Sequence, residues 1–356
     1  MNTHLRYECT RALVKCLPWT KSPLVICAPM RVMSGPSLAV AVSSAGGLGF
    51  LGPTIKPRDV FADLEKVNEL LRRSSIRNDP GSLLPIGIGF QTWNGDIQVA
   101  QEAVRMHRPC AVWLFAPQHG QIELDAWTDA LREASSGTKI WIQVGSLSEA
   151  VDASSSQSSP DVIVVQGAEA GGHGRDKDGQ GTIALLPEIA DTLKQSQIPL
   201  IAAGGIVDGR GAAAALALGA NGVAMGTRFL ASTEARISKG YQNEVIRASD
   251  GGKNTVRTQL YNHLRGTFGW PVHWSPRTVI NKSWTDHQGG MQFEKLKGLH
   301  DQSAKTGDAG WGPDGRLATY AGAAVGLVHR VDDAHAIVES TRDQARATLT
   351  SLAAHL

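Results

Sequence analysis

The chain has 356 residues and a net charge of +2, from 35 Lys and Arg against 33 Asp and Glu. At 42% hydrophobic and 19% charged residues it reads as a globular chain with a full core, not as a disordered one. The near-neutral balance without a basic run argues against a nucleic-acid partner, and the lack of an apolar stretch of roughly 18 residues argues against a membrane-spanning helix.

From residue 24 to 230 short apolar runs alternate with amphipathic stretches. The runs are Val25–Ala28, Leu48–Leu51, Ile86–Gly89, Ala111–Leu114, Ile140–Val144, Val162–Val165, Leu200–Ala203 and Gly222–Met225. Near-continuous apolarity suits parallel strands buried on both faces. The stretches 58–72, 96–107, 121–134 and 208–218 carry helical spacing of apolar residues. Eight such units predict an α/β fold, a (β/α)8 TIM barrel. Residues 231–320 differ in texture: they hold Trp270, Trp274, Trp284, Trp311 and three of the four tyrosines, with weak periodicity. They are expected to form an inserted substrate or lid lobe, with residues 1–230 and 321–356 making the barrel. The tail near 330–354 is amphipathic and reads as a last helix. Ser154–Ser159 reads as a solvated turn.

Glycine, at 39 residues, is in excess, and its placement is informative. Gly47-Leu48-Gly49-Phe50-Leu51-Gly52 matches the dinucleotide pattern G-x-G-x-x-G, but a helix-like stretch precedes it and the glycines fall in a strand, so close strand packing explains it better. Gly204-Gly205 follows the seventh strand and Gly226-Thr227 the eighth. In barrels this strand pair commonly seats a phosphate, with backbone amides and a helix start at Asp208 as its ligands. The sixth strand leads into the long loop Gln166-Gly167-Ala168-Glu169-Ala170-Gly171-Gly172-His173-Gly174, where a glycine-flanked histidine can reach a ligand and exchange protons near neutral pH. Ala28-Pro29-Met30 ends the first strand and Gln143 lies in the fifth; each can line the same mouth. No zincin-like histidine pair and no G-x-S-x-G elbow occurs, so neither a metal site nor a serine hydrolase is expected. Cys9, Cys16, Cys27 and Cys110 form no disulfide framework, and residues 1–25 lack a secretory core. A cytoplasmic location is expected, with a peroxisomal one allowed by Ala354-His355-Leu356, a loose relative of the S-K-L address.

Together, Ala28-Pro29-Met30, Ala168-Glu169-Ala170-Gly171-Gly172-His173-Gly174, Ala203-Gly204-Gly205-Ile206 and Met225-Gly226-Thr227-Arg228-Phe229 resemble the nitronate monooxygenase family, formerly the 2-nitropropane dioxygenases. Arg265-Gly266-Thr267, Trp270-Pro271, Arg277 and Asn281 resemble its fungal-type branch, and Tyr320-Ala321-Gly322 its closing motif. The wider group includes flavin-dependent enoyl-acyl-carrier-protein reductases. The resemblance covers nearly the whole chain after residue 20. It implies a TIM barrel holding FMN, with Ala28, Pro29 and Met30 beside the flavin ring, Gln143 at its pyrimidine edge, Gly171 and Gly172 nearby, Gly204, Gly205, Gly226 and Thr227 on the phosphate, and His173 as catalytic base or anchor of an anionic nitronate. Gly89-Phe90-Gln91 and Tyr320 depart from the family pattern and bear on the substrate pocket.

The function this implies is oxidation of alkyl nitronates or nitroalkanes by O2. The alternative is an NAD(P)H-linked FMN reductase or dehydrogenase of an enoyl or conjugated-carbonyl substrate, and a third reading is a barrel that binds a phosphorylated ligand without catalysis. A homodimer is left open.

Overall fold

The computed structural model describes residues 3–76 and 81–355. Met1, Asn2 and Leu356, the last residue of the carboxy-terminal address, lie outside the described residues. Among the described residues eleven strands follow in chain order: β1 Val25–Cys27, β2 Leu48–Leu51, β3 Leu84–Gln91, β4 Pro109–Phe115, β5 Lys139–Val144, β6 Val162–Gln166, β7 Gly172–Arg175, β8 Leu200–Ala203, β9 Gly222–Met225, β10 Thr255–Arg257 and β11 Trp274–Val279. Eight of them close into a parallel barrel in the order β1-β2-β3-β4-β5-β6-β8-β9, with β9 pairing back onto β1. These are the eight apolar runs, and the chain is a (β/α)8 TIM barrel.

Both strand faces are apolar because both are buried, but they are buried against different partners. Ile26, Phe50, Trp113, Trp141, Val164 and Ile201 turn into one cluster made mainly of strand residues, which Leu13 and Leu17 complete. Val25, Cys27, Val112, Leu114, Ile163 and Val165 alternate with them and pack under helices, including Pro36–Ser44 and Gln121–Ala134. Phe50 meets Trp113 edge-on at 5.3 Å, and Trp113 stacks on Trp141 at 6.1 Å. This aromatic filling makes the barrel a packed core beneath its mouth. The G-x-G-x-x-G stretch serves that packing. A Cβ on Gly49 would lie 2.0 Å from the Ala39 carbonyl oxygen in the preceding helix, and one on Gly52 would lie 2.0 Å from that of Met30.

A second sheet, in the order β10-β11-β7, is antiparallel. Its β7 comes from the loop after β6, where the sequence suggests only loop. Gly-His-Gly-Arg has no strand propensity of its own; the strand exists because β11 pairs with it, Pro276 opposite His173 and Arg277 opposite Gly172. The 231–320 segment therefore supplies two strands, of which β11 pairs with the sixth βα loop and β10 extends the sheet beyond it. Ser154 and Ser155 do not lie in a turn but close the helix Leu147–Ser155.

The last helix, Ala334–His355, buries Ile337, Val338 and Ala345 and packs against the helix Gly209–Ala217. The Gly209 amide donates to Gln344 Oε1 at 2.9 Å, and Arg342 donates to the Ala45 and Gly46 carbonyls at 3.2 and 3.0 Å. Among the described residues no helix is long and apolar enough to cross a membrane.

Candidate active site

The carboxyl ends of the strands and the small sheet surround a cavity of about 450 Å³, within the usual range for small-molecule sites. Ala28, Pro29, Met30, Gln143, Gly171, Gly172, His173, Gly204, Gly205, Gly226 and Thr227 all line it. Residues far apart in the chain are thus brought to one wall because each follows, or lies within, a barrel strand or the loop after β6.

On the β8–β9 side, Gly204 and Gly205 sit at φ of +95° and +74°, a region that residues with a Cβ avoid. No hydrogen bond among the described residues engages the amides of Gly204, Gly205 or Gly226. Three converging backbone donors without partners are the chemistry an anionic oxygen cluster requires. The helix start expected to assist them is not available. Asp208 already caps the helix Gly209–Ala217, its carboxylate accepting from the Arg210 and Gly211 amides at 2.9 and 3.2 Å. Thr227 Oγ1 is likewise engaged, accepting from the Gly322 amide at 2.9 Å.

Gln143 is 7% exposed, and its Oε1 accepts from Trp113 Nε1 at 3.0 Å. That bond orients the amide, because the indole can only donate. The Gln143 NH2 group is left as a donor. Gln91, at the end of β3, also lines the cavity and supplies the polar group at that strand's end.

The glycine loop after β6 is held from behind by two arginines of the small sheet. Arg257 donates to the carbonyls of Gly172, Ala168 and Ala170 at 3.2, 3.1 and 2.9 Å and also to that of Ser275. Arg277 donates to the Ala168 carbonyl through Nε and Nη2 at 3.3 and 3.1 Å. Burial, with Arg277 alongside, pushes the Arg257 guanidinium down to about 10, so it stays charged at neutral pH. Glu169 turns away from the cavity mouth and accepts from the Thr182 amide and hydroxyl.

The His173 ring lies face to face with Trp270, centroids 3.4 Å apart and 8° from parallel, and 6.0 Å from the Tyr320 ring. Its Nε2 is 3.0 Å from Asn262 Nδ2. Burial, reinforced by the positive charges of Arg257, Arg265 and Arg31, holds its pKa well below the ordinary 6.5. The imidazole is therefore neutral at physiological pH.

The charged side chains lining the cavity, His173 apart, are Arg31, Arg236 and Arg265. Arg236 is paired bidentately with Asp63 at 2.9 Å through each nitrogen. Among the described residues the Arg265 guanidinium hydrogen-bonds only the Tyr320 hydroxyl, at 3.0 Å, and it lies over that ring. Arg31 makes no hydrogen bond or ion pair among the described residues. No carboxylate lines the cavity. Gln91, at the strand end that departs from the family pattern, does line the cavity, whereas Arg31 and Asn262 were not legible as site residues. Arg31 directly follows Ala28-Pro29-Met30 and is the one with a local signal, whereas Asn262 reaches the site only through the small sheet. Among the described residues no three His, Cys, Asp or Glu side chains gather in a way that could hold a metal ion.

Comparison with known proteins bears on this arrangement. The family model for nitronate monooxygenase matches residues 114–264. The chain is 73% identical over 357 residues to nitronate monooxygenase npaC of Metarhizium robertsii, across the full length of both. It is 33% identical to the nitronate monooxygenase of Neurospora crassa, over 96% of this chain and 95% of that one. FabK from Thermotoga maritima superposes with a TM-score of 0.72 at 27% identity, covering 97% of this chain and 99% of that one. The chain belongs to the nitronate monooxygenase family of flavin-dependent oxidoreductases.

Proposed function

We propose that the enzyme binds FMN in this cavity and oxidises alkyl nitronates with O2. The observation that carries the substrate class is the charge of the cavity wall: Arg31 and Arg265 face it without a carboxylate partner. Such a wall favours an anion over a neutral molecule, and a nitronate is an anion where its parent nitroalkane is neutral.

FMN fits the remaining features. The three open amides of Gly204, Gly205 and Gly226 would hold its terminal phosphate, with Thr227 adjoining. The Gln143 NH2 would donate to a carbonyl of the pyrimidine edge, and Ala28, Pro29 and Met30 would flank the ring. When bound, the flavin supplies the electron transfer between nitronate and O2. The protein's part is to bind the anion between Arg31 and His173, to orient it, and to keep the mouth apolar around it.

Anaerobic mixing of the purified yellow enzyme with propyl nitronate, and separately with NADPH, tests the reading. Bleaching of the flavin by the nitronate alone is expected. Arg31→Ala should raise KM for the nitronate about tenfold, the worth of one charge-assisted contact, with kcat little changed. Bleaching by NADPH and not by nitronate would instead assign the protein to the reductases of conjugated carbonyls.

A further inference from the structure

A chain of hydrogen bonds leads to His173 from a group whose role is not adjustable. The carbonyl oxygen of Trp274, on β11, can only accept. Gln259 Nε2 lies 2.5 Å from it and must be the donor, which fixes the orientation of the Gln259 amide. Gln259 Oε1 is thereby the acceptor for Asn262 Nδ2 at 2.7 Å. This fixes the Asn262 amide in turn, and its second N–H points at His173 Nε2, 3.0 Å away. Each link removes one of the ambiguities that side-chain amides and imidazoles normally leave open. Asn262, the central member, is 3% exposed and so is shielded from competing solvent. The network closes on itself, because β11, where it starts, is paired with β7, where His173 sits.

We infer that Gln259 and Asn262 are positioning residues that hold His173 as the Nδ1–H tautomer, so that it meets the substrate as a hydrogen-bond donor and not as a proton acceptor. Nε2 spends its lone pair on Asn262. Nδ1 has no partner among the described residues and is not sealed from the cavity. Protonation of the ring would set an Nε2–H against an Asn262 N–H, two donors facing each other. The other groups around the ring do not offset this: Trp270 and Tyr320 are neutral, and Arg257, Arg265 and Arg31 are cationic.

The inference rests on the proposed nitronate reading for its catalytic meaning. A neutral donor suits the oxygen of a carbanion-like substrate whose proton has already gone. It does not suit abstraction of the α-proton from a neutral nitroalkane, which needs a free lone pair facing the cavity. The network thus makes this site selective for preformed nitronates.

The tautomer can be measured without turnover. With 15N-labelled histidine in the flavin-loaded enzyme, His173 is assigned among the 11 histidines as the imidazole signal lost in His173→Gln. A protonated Nδ1 and an unprotonated Nε2 are expected, unchanged between pH 6 and 8. Gln259→Leu, which alters a residue outside the cavity lining, frees the Asn262 amide to turn. A new Nε2–H population should appear, and turnover of propyl nitronate should fall about tenfold, the worth of one donor to an anion. The ratio of nitronate to nitroalkane turnover should fall with it. An Nε2–H tautomer in the unaltered enzyme, or an unchanged tautomer in Gln259→Leu, would overturn the inference. The expected tautomer in an enzyme whose flavin no nitronate reduces would leave the network standing and remove the nitronate reading instead.

Discussion

Gly226→Val separates what the fold requires from what a bound phosphate requires. Gly226 has φ of −105°, which any residue adopts, and a Cβ there would meet only Met30 Sδ, at 3.6 Å, an ordinary contact. The empty protein should accept valine with a stability change within about 0.5 kcal/mol. The branched side chain would, however, stand in the cavity beside the open amides of Gly204, Gly205 and Gly226. Holding a phosphate oxygen off one or two of these donors removes charge-assisted bonds of about 1.5–3 kcal/mol each. A total loss of about 2–4 kcal/mol corresponds to about 30- to 1,000-fold in Kd. Gly204→Ala is the contrasting case, since its φ of +95° and a Gly167 carbonyl oxygen 2.8 Å from the new Cβ strain the fold itself. The assay is fluorescence titration of flavin-free protein with FMN and with riboflavin, beside thermal unfolding of the same preparations. Gly226→Val should lose affinity for FMN much more than for riboflavin, at unchanged melting temperature. Equal losses for the two flavins, or none, would refute the placement of the phosphate.

Arg257→Met should lower stability by about 3 kcal/mol, seen as a drop of several degrees in melting temperature, because the guanidinium's bonds to the carbonyls of Ala168, Ala170, Gly172 and Ser275 are lost and only that of Ala168 keeps a second arginine, Arg277. A change below about 0.5 kcal/mol would show the loop is held by other means. The pH dependence follows from the depressed pKa of His173. Below about pH 6.5 the unfolded chain takes up a proton at this residue and the native state does not, so stability is complete above that pH and declines as pH falls toward the folded value. Melting temperatures measured from pH 7.5 to 5 should decline less steeply in His173→Gln; identical slopes would place the titration elsewhere, with His107 and His300 the other depressed histidines among the described residues.

The barrel was legible because its signal is local. Each strand is a short apolar run, and each glycine cluster follows one, so position along the chain predicted position around the mouth. Gly204, Gly205 and Gly226 were readable for the same reason. The small sheet was not: Gly172–Arg175 has no strand character and is extended only because β11 lies beside it. The groups that set the chemistry of His173 were hidden with it. Trp270 stood out as an aromatic but not as the face under the imidazole, and Asn262 and Gln259 are ordinary polar residues until the fold lines them up. The helix start at Asp208 misled in the opposite sense. It is where the sequence suggests, but an aspartate that caps a helix also closes it to a second anion.

The pairing of β7 with β11 also bears on how such enzymes can diversify. A lid that merely rested on the barrel could be exchanged between relatives as a unit. Here the strand that carries His173 is completed by one partner segment, its backbone carbonyls are satisfied by Arg257 and Arg277, and its imidazole is oriented through Trp274, Gln259 and Asn262. Residues 166–175 and 255–279 are therefore one structural unit despite their distance in the chain. A chimaera that exchanged either segment alone would break the ladder and the arginine clamp in one event, whereas substitution at cavity-wall positions such as Arg31, Gln91 and Tyr320 leaves both in place.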